Sequence, residues 1–212
     1  MFLEIENLNK SYGENLILDN LSLKIEKNSM TSIIGESGCG KSTLMNILGF
    51  LDVFDSGVYK ILEHKNINPH SKMAMLIRRE TIGFLYQNYA LIDQLSVYEN
   101  LKIATKYNTK WTKQSDRVKM EEILESVNLK KEYLGKKIYE LSGGEQQRVA
   151  IARLIIKPCS LILADEPTGS LDVKNKNMVL NLLCELNKMN KTIIIVTHDM
   201  DTKNICTNSI MI

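Results

Sequence analysis

Two stretches near the N-terminus alternate apolar and polar residues, the pattern of a β-strand with one buried face. They are residues 2–6 and 21–25, and residues 11–15 between them include serine, glycine and asparagine, which favour a turn. Strands with one apolar face commonly pair antiparallel, because their polar face can meet solvent. The N-terminal part of the chain is therefore predicted to form an antiparallel β subdomain.

Three short runs further along the chain, residues 31–34, 161–164 and 192–197, are rich in aliphatic and β-branched residues. Such runs indicate strands that are covered on both faces, as in a parallel sheet. Elsewhere apolar residues recur every three or four positions, which is the helical period. The predicted helices start at Lys41, run from Ser96 to about Tyr107, cover residues 113–127, run from Ser142 to near Pro158, and run from Asp172 to about Asn190.

Strands that alternate with helices predict an α/β fold with a mostly parallel sheet and helices on both of its faces. A long helical insert interrupts the strands, which resume after it. We therefore expect one domain over residues 1–212, with a core lobe at about 1–88 and 158–212 and a helical lobe at about 89–157.

The composition excludes several classes of protein. The chain has 212 residues, 44% of them hydrophobic and 25% charged, which is typical of a soluble globular domain. Its 27 basic and 25 acidic residues give a net charge of +2 without a long block of one sign, so a nucleic-acid partner is not expected. No apolar run approaches the roughly 18 residues of a membrane span. If the chain serves a membrane, we expect the spanning part to be a separate polypeptide.

A glycine-rich loop between a predicted strand and a predicted helix carries the pattern G-x-x-x-x-G-K-[ST]. Its residues are Gly35, Glu36, Ser37, Gly38, Cys39, Gly40, Lys41 and Ser42, followed by Thr43. In such a loop, backbone N–H groups and the start of the helix surround a phosphate. Lys41 would reach the β- and γ-phosphates and Ser42 would bind Mg²⁺. The alternative, a chance glycine loop with a surface lysine, does not explain the strand before it and the helix after it.

Two acids, Asp165 and Glu166, follow the buried run at residues 161–164. Ligands of open α/β sheets bind at the carboxyl ends of the strands. Asp165 would hold Mg²⁺ through water, and Glu166 would orient or deprotonate the attacking water. Taken alone, the pair could be two solvated acids at the end of a strand; the phosphate loop favours the catalytic interpretation.

The stretch Leu-Ser-Gly-Gly-Glu-Gln-Gln-Arg at residues 141–148 resembles the signature motif of ATP-binding cassette (ABC) ATPases. The resemblance covers nearly the whole chain and implies the P-loop NTPase fold of that family, with ATP and Mg²⁺ as ligands. It also implies a homodimer around ATP, in which this motif of one subunit meets the γ-phosphate held by the other. The motif residues so assigned are Ser142, Gly143, Gly144 and Glu145.

Four other residues receive roles from the same resemblance. Tyr12 is similar to the aromatic residue that stacks on adenine, and Gln87 to the glutamine that senses Mg²⁺, the water and the membrane subunit. Asp172 lies in a stretch that resembles the loop crossing the dimer interface, and it can also cap a helix. His198 is similar to the switch histidine that contacts the γ-phosphate.

Residues 48–52 and 164–172 resemble the branch of macrolide exporters, lipoprotein-releasing ATPases and antimicrobial-peptide transporters, and residues 87–92 resemble ATPases of bacteriocin export. The implied function is an ATPase at the cytoplasmic face of a bacterial membrane. It would power a separate permease that exports a peptide, lipid-linked or antimicrobial substrate. Signalling across the membrane to a cell-wall hydrolase shares every motif and stays open. An RNA-associated ABC protein is disfavoured by the single cassette and the small net charge.

Overall fold

The computed structural model describes residues 1–36, 38–106, 108, 111 and 116–212. Its strands are β1 (Leu3–Tyr12), β2 (Asn15–Ile25), β3 (Met30–Ile34), β4 (Ser56–Ile61), β5 (His64–Lys65), β6 (Ile82–Leu85), β7 (Leu161–Asp165), β8 (Thr192–Val196) and β9 (Asn208–Met211). Its helices are α1 (Lys41–Leu48), α2 (Lys72–Glu80), α3 (Val97–Thr105), α4 (Asp116–Ser126), α5 (Gly143–Ile156), α6 (Val173–Lys188) and α7 (Met200–Asn204), with 3₁₀ turns at Lys131–Gly135 and Ile138–Glu140. Ser37 and the predicted helix ends at Tyr107 and Lys113 lie outside the described residues.

The N-terminal strands form the predicted antiparallel sheet, in the order β2-β1-β4-β5. The hairpin is longer than the alternating segments alone suggest, because β1 continues to Tyr12 and β2 starts at Asn15. The turn therefore narrows to Gly13 and Glu14, and Gly13 has a left-handed φ of 60°. Strand β4 is not predicted from the sequence; it pairs with β1, some fifty residues earlier in the chain.

The second sheet is parallel and has the order β6-β7-β8-β3-β9, which confirms the α/β prediction. The side chains of its buried strands belong to two hydrophobic cores, one on each face of the sheet. In β7, Leu161 and Leu163 face the core shared with the antiparallel sheet and α1, whereas Ile162 and Ala164 face the core formed with α3 to α6. This division follows from the two-residue period of a strand and explains why both faces of the strand are apolar.

Between β6 and β7 the described elements are helices α3, α4 and α5 and the two 3₁₀ turns. Their apolar residues, such as Met120 and Leu124, join the same core as Ile162 of the sheet. The division into lobes near residues 88 and 158 stays a prediction. No helix in the described part of the chain combines the length and the apolar character needed to cross a bilayer.

Gly57, in β4, is a position where the fold does not accommodate a side chain. Its φ is 106°, and a Cβ atom there would lie 2.5 Å from the carbonyl oxygen of Asn7 and 2.6 Å from the Cα of Leu8. Both neighbours are backbone atoms of β1, so they cannot move aside as a flexible side chain can.

We therefore expect Gly57→Ala to lower the free energy of unfolding by about 2 kcal/mol or more and to lower the melting temperature by several degrees. Gly135→Ala is the matched control, since a Cβ atom at Gly135 meets nothing within 4 Å. Thermal unfolding followed by circular dichroism measures both variants. Equal melting temperatures for the two would contradict this account of the contact between β1 and β4.

Candidate active site

A cavity of about 390 Å³ opens at the carboxyl edge of the parallel sheet. It collects the ends of β3, β7 and β8 together with the start of α1. Its lining residues are Ile17, Gly35, Gly38, Gly40, Lys41, Ser42, Thr43, Gln87, Asp165, Glu166, Val196 and His198. Most of the residues singled out from the sequence for phosphate, metal and water therefore lie around one space.

The loop between β3 and α1 is shaped by glycine. Gly38 and Gly40 have φ values of 85° and 96°, and a Cβ atom at Gly40 would lie 2.8 Å from the side chain of Leu18. The Lys41 ammonium group donates hydrogen bonds to the carbonyl oxygens of Gly35 (2.8 Å) and Glu36 (2.6 Å). A cation is thus held against a loop whose amides precede a helix start, which suits a phosphate.

The two acids have different surroundings. Asp165 ends β7 and is half-buried; burial raises its pKa, the charge of Glu166 raises it further, and Lys41 opposes the rise. The hydroxyl of Ser42, the carboxylate of Asp165 and the amide oxygen of Gln87 line the same cavity. Oxygen donors of these types are the ligands that Mg²⁺ prefers, so the residues fit this ion.

Glu166 is held by residues that follow β8. Its Oε1 lies 2.7 Å from Nδ1 of His198, and its Oε2 accepts a hydrogen bond of 3.2 Å from the hydroxyl of Thr197. That hydroxyl, which is buried, also accepts the backbone N–H of Asp199 at 3.0 Å. Asp199 in turn pairs with Lys176 of α6 at 2.8 Å. Thr197 and Lys176 are not predicted from the sequence, because neither belongs to a motif.

Tyr12 does not line this cavity. It ends β1, and its hydroxyl donates a hydrogen bond to the carboxylate of Asp52. This hydrogen bond is the main reason that the pKa of Tyr12 is raised, with burial adding to the rise. Ile17, on β2, is a hydrophobic residue that lines the cavity and lies beside Gly40 of the loop.

The signature stretch also lies outside the cavity. Ser142 caps α5 in a capping box with Glu145, whose Oε2 accepts the backbone N–H of Ser142 at 2.8 Å. Ser142 and Gly143 are exposed, and Gly144 packs so closely that a Cβ atom there would lie 2.3 Å from the side chain of Asn175. Asp172 caps α6 and accepts the backbone N–H of Asn175 at 2.9 Å. The structure thus brings the signature stretch close to the Asp172 loop.

The segment after Gln87 adopts a strained turn. Tyr89 and Ala90 both have left-handed φ values, 62° and 48°. The half-buried guanidinium of Arg153 on α5 donates to the carbonyl oxygens of Tyr89 at 3.0 Å and Ala90 at 2.6 Å. The Tyr89 hydroxyl lies 3.3 Å from that of Ser170. Helix α5 is therefore tied to the segment that carries Gln87.

A second cavity, of about 520 Å³, lies between α2, β6, α3 and the end of α5. We call it the lateral groove. Its lining residues are Met75, Arg78, Arg79, Phe84, Tyr86, Ile103, Ala104, Arg153, Leu154, Lys157 and Pro158. The groove is mainly apolar, with four basic residues and no acidic residue among those that line it. Burial lowers the pKa of Arg153 and of Lys157.

The fold and the first cavity define a P-loop nucleotide hydrolase. A comparison with protein families gives the finer class, since the ABC transporter family matches residues 18–169. The chain belongs to the ABC transporter family as an ATP-binding cassette, which confirms the resemblance seen in the signature stretch. It is an ATPase of that family, with ATP and Mg²⁺ as its ligands.

Curated relatives include proteins of two lengths. The chain is 44% identical over 195 residues to the macrolide export ATP-binding/permease protein MacB of Campylobacter jejuni, covering 92% of this chain but 30% of the relative. It is 41% identical over 203 residues to the uncharacterized ABC transporter ATP-binding protein YvrO of Bacillus subtilis, covering 94% of this chain and 88% of that protein. The chain thus spans about a third of the length of the MacB proteins.

Solved structures agree with the fold. A dimeric post-hydrolysis state of the ATP-binding cassette MJ0796, bound to ADP and Pi, superimposes with a TM-score of 0.88 at 36% identity, covering 99% of this chain and 94% of that one. CbiO1 of Clostridium perfringens, part of the transporter complex CbiONQ, gives a TM-score of 0.86 at 29% identity, covering 99% and 84% of the two chains.

Proposed function

We propose that two copies of this chain close around ATP and that hydrolysis drives a membrane permease which exports a substrate. The observation that carries the proposal is the separation of two half-sites on one chain. One cavity contains Lys41, Asp165 and Glu166, whereas the exposed helix start at Ser142 lies outside it. A second copy can supply the missing half. The MJ0796 cassette, which this chain resembles along nearly its whole length, is dimeric with ADP and Pi.

In this proposal the glycine loop binds the phosphates. Its backbone amides and the Lys41 ammonium group would contact the β- and γ-phosphates. Thr43, in the first turn of α1, is also assigned to nucleotide binding. Ser42, Asp165 and Gln87 would hold Mg²⁺, which supplies charge neutralisation of the phosphates. Tyr12 would stack on adenine from outside the cavity. The loop residues assigned to nucleotide binding remain Gly35, Glu36, Ser37, Gly38, Cys39 and Gly40.

Glu166 is the proposed base. Phosphoryl transfer to water requires a residue that positions the water and accepts its proton, while the γ-phosphate is held in line. The carboxylate of Glu166 faces the cavity and is fixed at Oε1 by His198 and at Oε2 by Thr197. His198, which is exposed, is the group that would contact the γ-phosphate.

The partner's signature stretch would complete the site. Ser142, Gly143 and the N-terminus of α5 offer a hydroxyl, backbone N–H groups and the positive end of a helix dipole. Glu145 secures that helix start, since its Oε1 accepts the Tyr133 hydroxyl at 2.7 Å while its Oε2 completes the capping box. Asp172, on the adjoining loop, would lie at the dimer interface.

The lateral groove is the proposed docking site for the permease. It is mainly apolar, four of its lining residues are basic, and another of them, Tyr86, directly precedes Gln87 in the chain. Because burial disfavours the charged forms of Arg153 and Lys157, a partner segment with acidic residues would be favoured there. Relatives named as macrolide export proteins carry both ATP-binding and permease parts. We propose that the chain lies at the cytoplasmic face of a bacterial membrane and acts with a permease, either fused or separate. The permease would export a peptide, lipid-linked or antimicrobial substrate.

Replacing the proposed base tests the closed dimer. Glu166→Gln keeps the shape of the side chain but cannot accept a proton, so we expect ATP turnover to fall at least about 100-fold with ATP affinity retained. The ATP-bound variant should elute as a dimer in size-exclusion chromatography with light scattering. Glu185→Gln, on the exposed face of α6, is the matched control and should leave turnover unchanged. Turnover by Glu166→Gln at the parent rate would contradict the assignment of Glu166 as the base.

A second prediction concerns the hydroxyl of Thr197. Thr197→Val removes the hydrogen bonds that the hydroxyl makes with Glu166 and with the backbone N–H of Asp199, at nearly constant volume. We expect kcat to fall about 10- to 100-fold, since bonds to charged groups contribute about 1.5–3 kcal/mol. The Kd of ATP should stay within about twofold of the parent value. Thr197→Ser keeps the hydroxyl and should restore most of the rate. Equal kcat values for the valine and serine variants would show that the hydroxyl plays no part.

A third prediction concerns the lateral groove. Ile103 is 48% exposed on α3, and Ile103→Glu would place a charge in the apolar part of the groove. We expect binding to membranes that contain the permease to fall at least about 10-fold, with ATP binding by the isolated chain unchanged. Val118→Glu, at a 60% exposed position on α4, controls for an added surface charge. Undiminished membrane binding by Ile103→Glu would remove the groove from consideration.

A further inference from the structure

Lys10 is buried at a position where the strand pattern calls for an apolar residue. In β1 it follows Leu8 on the inward face, and only 4% of the residue is exposed. A buried ammonium group is costly unless it is paired. Its partner is Asp52, whose Oδ1 lies 3.3 Å from the Lys10 Nζ, across 42 residues of sequence.

Asp52 joins this ion pair to Tyr12. Its Oδ1 also accepts the backbone N–H of Val53 at 2.7 Å, and its Oδ2 accepts the Tyr12 hydroxyl. The backbone next to Tyr12 is bonded to the same segment, because Asp55 accepts the N–H of Ser11 at 2.7 Å. The end of β1 is thus bound to the segment that follows α1, the helix that starts at Lys41 in the phosphate loop.

The same lysine lies over the aromatic ring. The Nζ of Lys10 is 4.5 Å from the centre of the Tyr12 ring, within the range of a cation–π contact. Tyr12 is nevertheless 48% exposed, so the ring is held at one face and at its hydroxyl while much of its surface stays open. An aromatic ring that is fixed in this way loses little entropy when a flat ligand stacks on it.

We propose that Lys10 and Asp52 are positioning residues that hold Tyr12 as a preformed platform for the adenine base. This inference rests on the proposed function, in which Tyr12 stacks on adenine. Lys10 covers one ring face and Asp52 anchors the hydroxyl, so the base stacks on the remaining face. Because the same carboxylate belongs to the segment after α1, the platform keeps a constant position relative to the phosphate loop.

The test separates the contribution of the adenine base to binding affinity from that of the phosphates. The Kd values of Mg-ADP and of magnesium pyrophosphate are measured by calorimetry, since neither ligand is hydrolysed here. Lys10→Met, which keeps the length of the side chain, should raise the Kd of ADP about 3- to 10-fold and leave that of pyrophosphate within about twofold. Lys24→Met is the matched control, because Lys24 pairs with Glu4 at 2.7 Å on the same sheet but at an exposed position. It should change neither Kd.

Tyr12→Phe keeps the ring and removes the hydroxyl, which is bonded to Asp52 and interacts with Thr43, at an exposed residue. It should raise the Kd of ADP but not that of pyrophosphate, with an unchanged melting temperature. This variant therefore replaces Lys10→Met in the test if Lys10→Met does not fold. In a Tyr12→Ala background, Lys10→Met should have no further effect on ADP, because Lys10 acts through the ring.

Three outcomes would overturn the inference. Lys10→Met and Tyr12→Phe could both leave the ADP Kd unchanged, or could weaken ADP and pyrophosphate equally. The effect of Lys10→Met could also persist in full without the Tyr12 ring. If Tyr12→Ala itself left ADP binding unchanged, the adenine assignment would fail together with this inference. The proposed ATPase mechanism, which rests on Lys41 and Glu166, would then still stand.

Discussion

The parallel pairing of three central strands determines where the reacting groups lie. Ile33 of β3 and Asp165 of β7 both pair with Val196 of β8, so the chain leaves all three strands at one level. Immediately beyond that level come the phosphate loop, Glu166 and His198. Apolar residues on both faces hold this register, because a slip of one residue would exchange the two cores. The geometry of the site therefore depends on the burial of aliphatic strands and not on the site residues themselves.

The same architecture explains why the proposed site needs two copies. The exposed start of α5, at Ser142, belongs to the helical segment between β6 and β7 and does not reach the cavity of its own chain. Arg153, near the other end of α5, holds the strained turn at Tyr89 and also lines the lateral groove. A movement of α5 would accordingly shift residues of the groove and the turn beside Gln87, and this link is the physical basis that we propose for coupling closure to a permease.

Local sequence signals predicted much of this arrangement. The glycine loop, the helix starts at Ser96 and Ser142 and the buried strands depend on neighbours along the chain, and each lies where its pattern indicated. Strands β4 and β9 could not be predicted in this way, because they form by pairing with distant strands. Lys10 shows the same limit: a lysine in an alternating strand is expected to face solvent, and only the distant Asp52 accounts for its burial.

A cross-linking measurement tests the central proposition most directly. Cys39 lies in the phosphate loop, and Ser142→Cys would place a second thiol at the start of α5. With Glu166→Gln to prevent turnover, the account predicts that ATP and a short bifunctional thiol reagent give a covalent dimer, and that Cys39→Ser abolishes it. Cross-linking that stayed within single chains, or a dimer that formed equally without ATP and without Cys39, would contradict a nucleotide shared between two copies.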